Sequence, residues 1–159
     1  MTKSSNNIAV TADELYALWR KEERDPTDIG FLTAIRKLDR LDRLAVRRIF
    51  ERIEVDEETG DWIDISDPVG SPKVWFRGRS EYVNKVVWTL FHGGPVPMGK
   101  AVSRIDGHLC SLHPEHLRLM SRGQATALGV ARKAAKRQEE VRLLMKYKGV
   151  SREVAEANL

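Results

Sequence analysis

The chain carries one cysteine, Cys110, among its 159 residues. One thiol forms no internal disulfide, so a fold held by cross-links is excluded and a reducing compartment, the cytoplasm, is expected. Long apolar runs are missing too. Nothing approaches the roughly 20 residues that cross a bilayer as a helix, so no membrane partner is expected. The opening MTKSSNNIAV lacks the apolar core of a secretory signal. Internal repeats and low-complexity segments are absent. Aromatics are sparse at 7%. Trp62, Trp75, Trp88 and Phe91 stand at core spacing and are expected to fill the interior, with base stacking as the lesser role.

What is present describes a globular chain: 42% hydrophobic and 31% charged residues, long enough for one main domain with an appendage. Its net charge of +4 is unevenly placed. From Arg118 onward ten Lys/Arg face four Glu, whereas residues 1–117 hold 17 basic and 19 acidic groups. A basic tail on a near-neutral body is the footprint of a polyanion binder. A solvated helix face gives the same count, so charge alone leaves both readings open.

Along the chain, Thr11 and Glu14 form a capping-box pattern for a helix to about Arg24 that buries Leu15, Leu18 and Trp19. Residues 29–53 repeat apolar side chains at helical spacing (Phe31, Ile35, Leu38, Leu41, Leu44, Ile49, Ile53), with an expected break near Leu41. The period then changes to two. Residues 53–56, a Glu58-Thr59-Gly60 turn and residues 62–65 predict a hairpin. A strand over 74–79, a helix over 82–92 ended by Gly93-Gly94, and a strand over 101–105 follow. Pro114-Glu115 signals a short helix carrying Leu117 and Leu119. In the tail, Gly123 and Gly129 weaken helix over 124–137. Residues 138–147 should be helical, burying Val141, Leu144 and Met145, and Ser151 caps a last helix. Two helices about Gly149 are like the first half of a helix-turn-helix, and an ordinary helical hairpin fits equally well.

Residues 102–121, VSRIDGHLCSLHPEHLRLMS, hold His108, His113, His116 and Cys110. Four donors within nine residues invite a zinc test, with His116 the leading ligand and His108, Cys110 and His113 behind it. The same residues also serve as loop hydrogen-bonders and a small buried thiol.

The tryptophan-bearing hairpin, the Gly78-Arg79 turn, the helix ending Phe91-His92-Gly93-Gly94, then Val96-Pro97-Met98-Gly99, Ile105-Asp106-Gly107 and Pro114-Glu115-His116-Leu117-Arg118-Leu119 together resemble the HNH endonuclease superfamily, in its phage and intron-borne form. The resemblance covers less than half the chain. It implies an α+β chain with a helical N-terminal segment (1–53), a central ββα-metal HNH-like unit (54–121) and a basic helical tail (122–159). It also implies a DNA substrate and one divalent metal. The family's metal-binding aspartate and general-base histidine fall on Ser103 and Arg104. Serine is a poor ligand for a hard cation, and arginine stays protonated. The buttressing asparagine falls on His113, and the metal-binding residue on the motif's helix is kept as His116. The upstream His-Arg pair is Asn84-Lys85 here. Zinc-stapled relatives need paired cysteines that this chain lacks.

Two functions follow. The first is a nucleic-acid-binding protein on a catalytically degenerate HNH-like domain, no cofactor required, binding DNA or blocking a host nucleic-acid enzyme. Its expected phosphate contacts are Arg104, Lys85, Arg79, Arg118, Arg122, Arg132, Lys133, Lys136 and Arg137. Arg104 either holds a phosphate or pairs with Asp106 or Glu115. The N-terminal helices are the expected surface for a protein partner. The second is a DNA-nicking enzyme using Mg²⁺, Mn²⁺ or Zn²⁺ at a rewired site, with His116 as ligand and His108 or His113 as base. In either case a phage-encoded chain would work in the host cytoplasm.

Overall fold

The computed structural model describes residues 34–92 and 95–159. They form helices and three small antiparallel two-stranded sheets, a mixed α+β arrangement. The helix expected over 11–24, the start of the 29–53 pattern and the Gly93-Gly94 terminator lie outside the described residues.

Helix α1 spans Arg40–Glu51. Its start is chemical: Asp39 Oδ1 accepts the Asp42 amide at 2.8 Å, satisfying a first-turn donor that has no partner within the helix. This cap breaks the long periodic pattern ahead of Leu41, which is 70% exposed rather than on the apolar face. Ala45, Val46, Ile49 and Phe50 supply the buried stripe. Arg43 ties the preceding segment back, donating to the carbonyls of Ile35 and Arg36 at 3.2 and 2.9 Å.

Strands β1 (Ile53–Val55) and β2 (Trp62–Asp64) pair with Ile53 opposite Asp64, as the period-two pattern predicts. Asp56 builds their turn: its carbonyl accepts the Thr59 and Gly60 amides, and its carboxylate accepts the Glu58 amide at 2.9 Å. Strands β3 (Lys73–Phe76) and β4 (Arg79–Tyr82) form a second hairpin. Its two turn residues, Arg77 and Gly78, both have positive φ (52° and 82°), the twist that tight hairpins need. The buried Asp42 of α1 accepts the Arg77 amide at 2.8 Å and so fixes this tip.

Helix α2 (Val83–His92) buries Val83, Val86, Val87 and Leu90. His92 closes it and stacks on Trp88 at 4.7 Å. Strand β5 (Lys100–Arg104) pairs with β6 (Leu117–Ser121), Arg104 opposite Leu117. The short helix expected at Pro114 is one 3-10 turn, Pro114–His116. Leu117 and Leu119 belong to a strand instead, because ladder bonds to β5 outweigh the local helix signal. A 10-residue helix, α3 (Arg122–Ala131), follows under a full capping box of Ser121 and Gln124. That box outweighs the two internal glycines. Helices α4 (Lys133–Lys148) and α5 (Arg152–Ala157) complete the chain, with Gly149 in the left-handed conformation and Ser151 capping α5. On α4, Val141 and Leu143 are buried and Met145 is 37% exposed.

Trp62 sits in the middle of the core at 1% exposure, edge-on to Phe50 and Phe91, each 6.2 Å away. Burying such a ring removes roughly 150–250 Å² from water, on the order of 4–6 kcal/mol before entropy is counted. Trp88 and Phe91 pack against this core. Trp75 does not: it is 65% exposed, because β3 turns Lys73 and Trp75 outward and only Phe76 fully inward. A smaller cluster of Ile63, Cys110 and Leu143 seats α4 on the first hairpin.

Candidate functional site

The loop between β5 and β6 is docked on β2 by backbone bonds. The Leu112 amide donates to the Trp62 carbonyl at 2.8 Å, and the Trp62 amide donates to Ser111 Oγ at 3.3 Å. Ser111 is fully buried, and its hydroxyl oxygen also accepts the His113 amide at 3.1 Å. The Ile105 amide closes the loop base onto the His116 carbonyl at 2.9 Å. These bonds carry the histidines to Asp61, the residue just before β2.

There, Asp61, His108 and His116 place one donor atom each within 4.8 Å of one another. Asp61 is fully buried, and its Oδ1 is hydrogen-bonded to His108 Nδ1. His116 Nδ1 lies 3.4 Å from the same oxygen and 2.8 Å from Ser111 Oγ. The His108 and His116 rings stack at 3.8 Å. Burial, and then the neighbouring His108, lower the His116 pKa and favour the neutral ring that a metal needs. Two imidazoles and a carboxylate are ligands zinc accepts. Asp61 escaped sequence reasoning because it lies 47 residues from His108. The one local hint was an acidic residue abutting the hairpin tryptophan.

The other two candidate ligands are not among these grouped donors, although the His113 ring lies 4.8 Å from that of His116. Cys110 packs with Ile63 and Leu143, and burial, then the Glu139 charge, push its thiol up to about 12. It stays protonated and binds no metal readily. His113 uses Nδ1 to accept the Glu115 amide at 3.0 Å, capping the 3-10 turn, and its ring lies edge-on to Trp62 at 4.7 Å.

A separate cleft of about 350 Å³ opens where β4, α2, β5 and α3 meet. Lys85, Lys100, Arg104 and Arg122 line it with Asn84 and Tyr82, and none of its described lining residues is acidic. Two helices begin at this cleft, α2 with Asn84 and Lys85 in its first turn and α3 at Arg122, so their positive dipole ends add to the side-chain charge. Arg104 is partly buried and oriented: its Nε donates to the Ser111 carbonyl at 2.9 Å. Burial lowers its pKa, partly offset by the Glu139 charge. The expected partner Asp106 is taken by Arg132, whose Nε lies 2.8 Å from it. A hard divalent cation finds no anionic ligand among the cleft's described lining residues. Neither His108 nor His116 lines it.

The remaining cations divide by position. Arg79 and Arg77 border an adjoining depression that shares Lys85, where Glu81 lies 3.1 Å from Arg79 and 3.7 Å from Lys85. Arg118 donates to the carbonyls of Glu115 and Leu117. Arg132 also donates to the Arg104 carbonyl at 2.6 Å, a bond that joins the tail to β5. Arg137 donates to the carbonyls of Leu159 and Glu156, while Lys133 and Lys136 sit on α4 away from the cleft lining. Lys100 joins the cleft unforeseen, since β5 pairing sets its register. No helix among the described residues is long and apolar enough to cross a membrane.

Comparison with protein-family models, curated proteins and solved structures finds no match to this chain.

Proposed function

We propose that this protein binds nucleic acid by its phosphate backbone, on an HNH-like scaffold that has lost hydrolysis. The observation that carries this reading is the cleft lined by Lys85, Lys100, Arg104 and Arg122 without a carboxylate. A guanidinium held by Ser111 keeps donors for two phosphate oxygens in a fixed plane. Further support comes from the order β5, loop, β6, α3, a hairpin followed by a helix with Arg104 ending the first strand; His116, expected on the motif's helix, stands instead in the 3-10 turn before β6. Divalent metal has a structural place in this reading, at Asp61, His108 and His116, outside the cleft.

DNA is the polyanion the resemblance favours. Supercoiled plasmid incubated with Mg²⁺, Mn²⁺ or Zn²⁺ and run as a gel-shift series tests the reading. Retardation without nicking, weakened by Arg104→Ala, is the expected result. Metal-dependent nicking abolished by His116→Ala would replace it with the rewired nuclease, whose one favourable observation is His116 stacked on His108 beside Asp61, its pKa lowered by burial.

A further inference from the structure

Two buried carboxylate oxygens, Asp61 Oδ2 and Glu139 Oε1, have no N–H or O–H donor from the rest of the chain, and the two side chains lie within hydrogen-bond reach of one another. They come from distant parts of the chain, the first hairpin and α4. Glu139 reaches the histidine loop directly, its Oε2 accepting the Leu109 amide at 3.2 Å, one residue past His108. Burial chiefly, and then the Asp61 charge, raise the Glu139 pKa, as expected of two acids facing one another. An unpartnered buried carboxylate oxygen is costly; Asp61, His108 and His116 form one set of donors, and Glu139 approaches that set from the Asp61 side.

We propose that Zn²⁺ binds Asp61, His108 and His116 with Glu139 as the fourth ligand, and that the metal thereby pins helix α4 to the hairpin unit. This deepens the metal part of the reading above. Two carboxylates neutralise a divalent ion, and two imidazole nitrogens select zinc over Mg²⁺, which prefers oxygen and keeps its waters. The triad donors lie within 4.8 Å of one another; bonds near 2.1 Å imply donors about 3.4 Å apart, so binding replaces the His108–Asp61 hydrogen bond and moves that pair apart while the wider separation closes. Without metal, α4 is held by ion pairs from Arg142 to Asp56 and Glu58 (3.0 and 3.1 Å), from Lys146 to Asp56 (3.4 Å), and by buried Leu143. Zinc adds a fixed point one turn N-terminal to them.

The test titrates Zn²⁺ into the chelator-stripped full chain by calorimetry, with Co²⁺ absorption as a report of ligand geometry and amide exchange over residues 133–148 as a report of α4. We expect one Zn²⁺ per chain, slower α4 exchange on loading, and at least about 10-fold weaker binding in Glu139→Gln. Zinc should no longer protect α4 in that variant. Glu140→Gln, on the same helix, should behave as the parent. His108→Gln removes a ligand without touching α4 and should abolish zinc binding, which keeps the test decisive if Glu139→Gln loosens the helix. Equal zinc affinity in Glu139→Gln, unchanged α4 exchange on loading, or no zinc binding by the parent overturns the proposal; the last would mean that Asp61 and Glu139 share a proton. Plasmid retardation in the same samples separates the two ideas. Lost retardation with zinc binding intact contradicts the cleft reading alone.

Discussion

Arg104 Nε donates to the backbone oxygen of Ser111 at 2.9 Å, and the Ser111 hydroxyl bonds His116 Nδ1 at 2.8 Å. One buried serine thus links the basic cleft to the histidine cluster. Arg104→Lys keeps the charge but loses the planar fork. It should weaken plasmid binding by about 10-fold, while Arg104→Ala should weaken it more. Gel-shift titration at fixed salt checks the order parent, Lys, Ala; equal loss in both variants would point to the planar fork alone, and parent-like binding by Arg104→Lys to charge alone.

Trp75 and Tyr82 are exposed by 65% and 46% on one face of the β3–β4 hairpin, with Lys73 opposite Tyr82 in the ladder. Tyr82 also lines the cleft. A single-stranded nucleic acid bound as proposed would find its stacking surface here. Trp75→Ala should leave thermal stability within about 0.5 kcal/mol and cost about 1–3 kcal/mol of single-strand affinity. Fluorescence anisotropy with an oligonucleotide and a parallel melting curve check both halves.

Asp56 is fully buried beneath Arg142 and Lys146. Burial alone would raise its pKa. The Glu58 amide, then Arg142 and Lys146, outweigh burial and hold it below the ordinary carboxylate value. A lowered folded pKa means stabilisation that is fully present above the ordinary carboxylate range and lost as pH falls below it through the folded value. Asp56→Asn should cost about 2 kcal/mol at neutral pH and flatten this acid limb. Denaturant melts at several acidic pH values check it.

Trp62→Ala opens the centre of the core and should cost about 3–5 kcal/mol. Because the Trp62 backbone also holds Leu112 and Ser111, Trp62→Phe serves to separate packing from loop docking. It should retain the amide signals of the histidine loop while losing part of the stability. Two-dimensional NMR with a urea melt tests this.

Much of the fold was legible locally. Alternation over 53–65, the Glu58-Thr59-Gly60 turn and the Ser151 cap depend on neighbours in sequence, and the hairpin and last helix stand where those signals put them. The errors came where distant contacts decide. Pro114-Glu115 is a helix start in isolation, yet Leu117 and Leu119 alternate at period two, and pairing with β5 makes them strand. Trp75 looked like core because its hairpin's outer face could not be told from its inner one. Asp61 could not be joined to His108 by spacing, since the bonds of Trp62 to Ser111 and Leu112 create that meeting. The cleft cations were legible as charge but not as a group, because Lys85, Lys100, Arg104 and Arg122 come from three separate elements.

The salt dependence of duplex binding tests the central claim most directly. If the four cleft cations each neutralise one phosphate, a plot of log affinity against log salt should fall with a slope of about −3 to −4. The slope should shallow by about one unit in Lys100→Ala and again in the Lys100→Ala/Arg122→Ala double variant. Binding that ignores salt, or a slope unchanged by removing these cations, would contradict the account.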